Sequence, residues 1–291
     1  MKLDVGHRTY VRIVLALVPA LLVPTAVAGS GDRNAGYEAA VHLARDIGSR
    51  PAASRAELRA HRYVKRRFER AGLETTFTRF RVPNRGRGWS RNVVGAYDGP
   101  RRCLKIVMAH TDSVPAGPGA VDNASGVGVV VALARRLDQI RPPCDVWLAA
   151  TGAEERPYTG QADHLGALRL VKHVRQEQSA RRLRYALSVD MVGRRGRFQL
   201  RSPRSGPRPR VEGQVLAAGR RGDVPLRWLR DSGTGNSDHR EFELAELPAL
   251  VMQMWGDLDP CWHTSCDRWQ RLEPRSLRRA QRVVTLALRR R

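Results

Sequence analysis

The 291-residue sequence predicts an α/β fold, a single domain whose mixed, mostly parallel central sheet is flanked by helices on both faces. Short β-branched runs at 104–109, 146–150 and 187–189 alternate with helical patterns at 126–137 and 165–175. Alternation of this kind signals a parallel sheet covered on both sides. A hydrophobic content of 42% is enough to fill such a core, and neither an internal repeat nor a second core is visible.

Each element follows in order. Lys2, Arg8 and Arg12 precede an apolar stretch over 13–28 that closes on Ala26-Val27-Ala28. A basic start, an apolar middle and a small-x-small ending make a signal peptide over 1–28. Pro19 and Pro24 interrupt the run, which is shorter than the ~20 clean residues a membrane span prefers. The expectation is a secreted protein, extracellular or in the cell envelope, with stable membrane association only if the signal stays uncleaved. The mature domain is placed at 35–291. It opens with helical patterns at 37–47 and 56–71, the second bounded by Ser54 as N-cap and Gly72 as stop. Residues 75–82 alternate as a strand, a Gly- and Arg-rich turn covers 83–88, and a second strand lies around 92–97. The segment 201–210, rich in Pro, Arg, Ser and Gly, reads as a loop. A last strand at 249–254 and a helix from Ser276 finish the chain, with Arg289-Arg290-Arg291 beside the negative end of the helix dipole.

The formal net charge of +24 is almost all arginine, because lysine occurs only at Lys2, Lys65, Lys105 and Lys172. Removing 1–28 takes away Lys2, Arg8, Arg12 and Asp4, a net +2, and leaves +22 on the mature chain. A basic surface favours anionic partners in general, but these arginines are scattered in short pairs with no nucleic-acid module and no aromatic interleaving. They read as a solvated surface; no nucleic-acid partner is expected, and the chain is expected to be a monomer. Export places the four cysteines where disulfides persist. Cys261 and Cys266 enclose a short loop, while Cys103 and Cys144 each begin an apolar strand-like run, so the expected pairs are 261 with 266 and 103 with 144.

Titratable residues cluster just past the strand-like runs, where open α/β sheets place their sites. His110-Thr111-Asp112 offers a metal ligand with a carboxylate to orient its ring, although taken alone a His-x-Asp is more often a satisfied loop pair. Asp122 sits in the turn 119–126 that opens a helix, where it or Asn123 serves equally as an N-cap. Glu154-Glu155 ends an apolar strand, so one can bind metal while its neighbour takes a proton, although a solvated pair is the plainer reading. Asp190 ends another apolar run, and burying that charge costs several kcal/mol, about the scale for an uncompensated ion. His263 lies between Cys261 and Cys266, which reads as a metal ligand, a Cys/His zinc cluster or an inert disulfide loop. Histidines with carboxylates suit zinc, and two ions need a shared bridge, for which Asp122 is the natural residue.

In this order the motifs resemble the co-catalytic dizinc aminopeptidases, the family that also includes glutamate carboxypeptidases and glutaminyl cyclases. The resemblance runs from about Ala35 to the end. It implies a phosphorylase/hydrolase-like zinc exopeptidase fold and two Zn2+ per chain. His110 and Asp190 are implied to hold one zinc, Glu155 and His263 the other, and Asp122 to bridge them. Glu154 matches the general base, and Asp112 the carboxylate that orients His110. A peptide or protein substrate is implied, cut at a terminal bond. Trp262 stands where many members carry an oxyanion-stabilising tyrosine; an indole N–H can donate but brings no hydroxyl. Trp before the histidine is also the glutaminyl cyclase pattern, which makes a cyclotransferase the alternative, whereas Asp122-Asn123-Ala124-Ser125-Gly126 and Ser237-Asp238-His239 follow the peptidase form. A noncatalytic binding domain is the third reading, opposed by a full set of ligand positions. The segment 156–164 is longer than the short glycine turn usual there.

Overall fold

In the computed structural model the described residues are 30–83, 88–155, 164–203, 209–231, 233, 235–254 and 259–290. The targeting segment expected at 1–28 lies outside them, as does most of the turn expected at 83–88. Among the described residues no helix is long and apolar enough to cross a membrane.

The elements run α1 (Ser30–Val41), α2 (Arg55–Arg70), β1 (Glu74–Arg81), β2 (Trp89–Tyr97), β3 (Arg101–His110), α3 (Ser125–Ala134), α4 (Leu137–Ile140), β4 (Cys144–Thr151), α5 (Leu165–Gln176), β5 (Leu183–Asp190), β6 (Phe198–Ser202), α6 (Pro209–Arg221), β7 (Leu226–Arg230), α7 (His239–Leu244), β8 (Ala249–Gln253) and α8 (Pro274–Arg289). All eight strands form one sheet in the order β1-β2-β4-β3-β5-β8-β6-β7. The central four, β4-β3-β5-β8, are parallel. The β1–β2 hairpin joins β4 antiparallel on one side, and β6 joins β8 antiparallel on the other.

Alternate side chains of the central strands enter opposite layers, as the pleat requires. Val107, Ala109, Leu148, Leu187 and Val189 pack in one core with α1, α2, α3, α6 and α8. Ile106, Met108, Ala149 and Ala186 pack in another with Leu170 and Val174 of α5 and Phe242 of α7. Helix α3 is buried along its whole length, and it lies so close to α1 that a Cβ on Gly128 would stand 2.2 Å from the Gly36 carbonyl oxygen.

Ser54 caps α2 as expected, its Oγ accepting the Glu57 N–H at 3.0 Å. Both expected disulfides are present, Cys103–Cys144 and Cys261–Cys266. The expected loop at 201–210 is a correction: Arg201 and Ser202 close β6, and α6 begins at Pro209. β6, β7 and α7 are too short to carry a periodic signal, and the two strands are ordered by β6 pairing with both β7 and β8. At the end of α8 the carbonyls of Ala287, Leu288 and Arg290 are capped by the buried Lys105 of β3, whose Nζ donates to them at 3.0, 3.1 and 2.5 Å.

Candidate active site

Three strand exits and two connections converge at the carboxyl ends of the parallel strands. His110 closes β3, Asp190 closes β5, and Glu154 and Glu155 follow β4. Asp122 rides on the turn before α3, and His263 on the loop after β8.

Asp122 is the residue around which the others gather. Its Oδ1 lies 3.2 Å from His110 Nε2, which also lies 3.5 Å from Asp190 Oδ1. Its Oδ2 lies 3.3 Å from His263 Nε2, which lies 3.0 Å from Glu155 Oε2. One carboxylate therefore gives an oxygen to each of two trios. A tetrahedron with bonds of about 2.0 Å has edges of about 3.3 Å, so both trios have the spacing of zinc ligands. Glu154 belongs to neither, although one of its oxygens is within 4.8 Å of both His110 and Glu155 ligand atoms.

The charge balance calls for cations. Asp112, Asp122, Glu154, Glu155 and Asp190 are buried together. Burial, then the Asp122 and Glu154 charges, push the Glu155 carboxyl up to about 8, and burial likewise raises Asp190. Asp122 moves the other way: burial opposes its charge, but the His110 and His263 rings hold it well below the usual carboxylate range. Asp190 Oδ1 is buried with no donor in hydrogen-bonding geometry among the described residues. A donor set of imidazole and carboxylate with this excess of negative charge fits zinc at each trio.

The supporting residues fix these atoms. His110 Nδ1 stands 3.2 Å from the Asp112 carbonyl oxygen and 3.8 Å from its Oδ1. A carbonyl only accepts, so Nδ1 carries the proton and the Nε2 lone pair is left for metal. The Asp112 carboxylate, expected to orient His110 and 3.8 Å from its Nδ1, also accepts the main-chain N–H groups of Glu154 (3.0 and 3.1 Å) and Glu155 (3.1 Å). The competition at 122–123 is resolved by division: Asn123 Oδ1 accepts the Gly126 N–H at 2.9 Å and so caps α3, leaving Asp122 to face the histidines. Gly126 must be glycine there, because a Cβ would meet the Val189 oxygen at 2.1 Å. Trp262 directs its indole N–H to Asp122 Oδ2 at 2.8 Å and lies against the His263 ring, centroids 4.1 Å apart.

Other groups at the site had no local mark in the sequence. Arg50 is fully buried and donates to the carbonyls of Leu43, Gly48, Thr111, Pro118 and Gly119, tying the β3 exit to the Asp122 turn. Asp267 accepts the Val121 and Asp122 N–H groups at 2.9 and 3.0 Å. Glu57 accepts from Ser90 Oγ and the Ala153 N–H at 2.5 and 3.2 Å, and burial pushes its carboxyl up to about 8. Ala153, Met191 and His263 take left-handed φ of +53°, +50° and +58°. Such conformations cost about 1–3 kcal/mol each outside glycine and persist where surroundings force a side chain toward one spot.

Ser237-Asp238-His239 lies one layer back. Asp238 Oδ2 accepts the Thr151 hydroxyl at 2.5 Å, at the exit of β4. His239 Nε2 lies 3.2 Å from Asp231 Oδ2 and 3.5 Å from Glu243 Oε1. That group resembles a ligand trio, but Arg201, 2.7 Å from Asp231 Oδ1, already supplies a cation.

The family model for peptidase family M28 matches residues 92–288. The chain belongs to peptidase family M28. This M28 chain is 29% identical over 194 residues to an aminopeptidase of Bacillus subtilis, YwaD, covering 64% of the chain and 40% of that relative. It spans between 40% and 53% of the length of the curated relatives it matches. Among solved structures it shares the fold of BSAP, a zinc aminopeptidase from Bacillus subtilis, with a TM-score of 0.78 at 18% identity over 88% of this chain and 93% of that one. It also shares it with a glutaminyl cyclase from Bacteroides thetaiotaomicron, with a TM-score of 0.74 at 19% identity over 89% of this chain and 98% of that one.

Proposed function

We propose that this M28 chain is an exported two-zinc exopeptidase, an aminopeptidase, with Glu154 as general base. The observation that carries the reading is Asp122, which presents one oxygen to His110 and Asp190 and the other to Glu155 and His263. His110, Asp122 and Asp190 would hold one zinc, and Asp122, Glu155 and His263 the other. Zinc so held supplies Lewis acidity toward a carbonyl and makes water acidic near neutral pH.

The chain's own residues do the rest. Asp112 fixes the Glu154 main chain, and Glu154 Oε1 rests against His164. Its Oε2 then takes the proton from the attacking water and delivers it to the leaving amine. Burial of the carboxylates keeps bulk water from competing for that proton. Two disulfides suit an oxidising compartment and support export.

A second reading, cyclisation of an amino-terminal glutamine, is favoured by Trp262, 39% exposed beside His263. Assays on leucyl and glutaminyl substrates with zinc stoichiometry separate the two: amine release by a chain with two zincs supports the peptidase, ring closure the cyclase. Glu154→Gln is expected to keep both zincs and lose about 10²–10⁴-fold in kcat, the usual contribution of a general base. Wild-type turnover in that variant would remove Glu154 from the mechanism.

A further inference from the structure

We propose that His164 is the positioning residue for the general base: it grips one carboxylate oxygen of Glu154 so that the other faces the ligand trios. The inference rests on the assignment of Glu154 above.

The grip is both main chain and side chain. His164 Nε2 lies 3.0 Å from Glu154 Oε1, with both side chains buried. The His164 N–H donates to the Glu154 carbonyl at 3.2 Å, and the next two amides, Leu165 and Gly166, donate to the carbonyls of Ala153 and Gly152 at 3.0 Å each. Three successive groups at the start of α5 thus latch onto the three residues that leave β4. His164 takes φ +52°, which turns the chain into α5 and aims the imidazole back at Glu154. Glu241 Oε1 of α7 stands 3.9 Å from Nδ1 on the far side of the ring. Asp112 holds the Glu154 amide as well.

Glu154 needs this because its role differs from that of its neighbours. A ligand carboxylate is held by its metal, whereas a base must be held by protein alone, and a glutamate has three torsions to order. A displaced base loses rate without losing metal, and a misplacement of about 1 Å can cost 10²-fold.

The zinc-loaded full chain tests this with two substitutions. Asparagine tolerates the left-handed backbone but is too short to reach Oε1; glutamine places an amide N–H near the position of Nε2. His164→Asn is expected to lower kcat about 10- to 100-fold, with KM changed by less than about twofold, zinc content unchanged and the melting temperature lowered by no more than a few degrees. His164→Gln is expected to recover kcat to within about fivefold of the native chain. In a Glu154→Gln background His164→Asn is expected to cause no further loss, since the grip then has nothing to position. Native kcat in His164→Asn, equal losses in Asn and Gln variants, or a fully additive loss in the double variant would overturn the proposal. If Glu154→Gln is itself active, the general-base assignment fails; if it is inactive while His164→Asn is native, only the role of His164 fails.

Discussion

The two candidate ligand trios share Asp122 but are built from different material. His110 and Asp190 are the last residues of adjacent parallel strands in the middle of the sheet, and both are buried. Glu155 and His263 stand in connections, and the His263 side chain is 29% exposed. Strand pairing holds the first trio; the Asp112 carboxylate and the Cys261–Cys266 bridge hold the second. One half of the centre is part of the core, and the other is assembled onto it, which makes the second half the more easily perturbed.

Asp122→Ala is the substitution that should erase the distinction. Removing the shared carboxylate is expected to empty both trios, seen as zinc per chain falling toward zero and a loss in kcat on the order of 10³-fold or more. Retention of one full equivalent of zinc would show that the trios are independent.

The cysteines sharpen the comparison from another side. Replacing Cys103 and Cys144 by serine opens a link across 41 residues between β3 and β4, and is expected to cost about 4 kcal/mol of stability with the centre intact. Replacing Cys261 and Cys266 opens a separation of 5 residues, costing about 2 kcal/mol, yet it frees the loop that carries His263. Denaturant melts and competitive zinc chelation should show the larger stability loss in the first pair and the larger zinc loss in the second. Chelation profiles that do not differ would mean the bridge does not hold the loop-borne trio.

The smallest effect is expected from Trp262→Phe. It keeps the ring against His263 but removes the hydrogen bond to Asp122, worth about 1.5–3 kcal/mol for a charged acceptor. Zinc affinity at the second trio is expected to fall at least roughly tenfold by that estimate, with the first trio less affected. An unaltered affinity would leave the indole only a packing role.

Much of this was legible because strand periodicity and polarity coincide. His110, Glu154, Glu155 and Asp190 follow apolar β-branched runs, and a charge at the end of such a run has to be justified by a partner. Asp122 was legible as a metal or capping residue but not as one rather than the other, because the choice depends on where Asn123 points. The strands of the β6–α7 region were opaque: β7 carries Arg227 and Arg230, its order comes from pairing with β6 across the α6 crossover, and no local pattern records that. Arg50, Glu57 and Asp267 were opaque for the same reason, since a buried charge looks in sequence like an exposed one.

By itself the sequence determined the layers and the set of ligand-type residues and favoured the disulfide pairs, because these follow from periodicity, residue chemistry and cysteine placement. Tertiary structure alone decided which oxygen of Asp122 meets which histidine, that Asp112 serves the Glu154 main chain, and that His164 meets Glu154. Those are contacts between side chains brought together by strand order, and their angstrom-scale geometry is set by packing that no stretch of sequence contains.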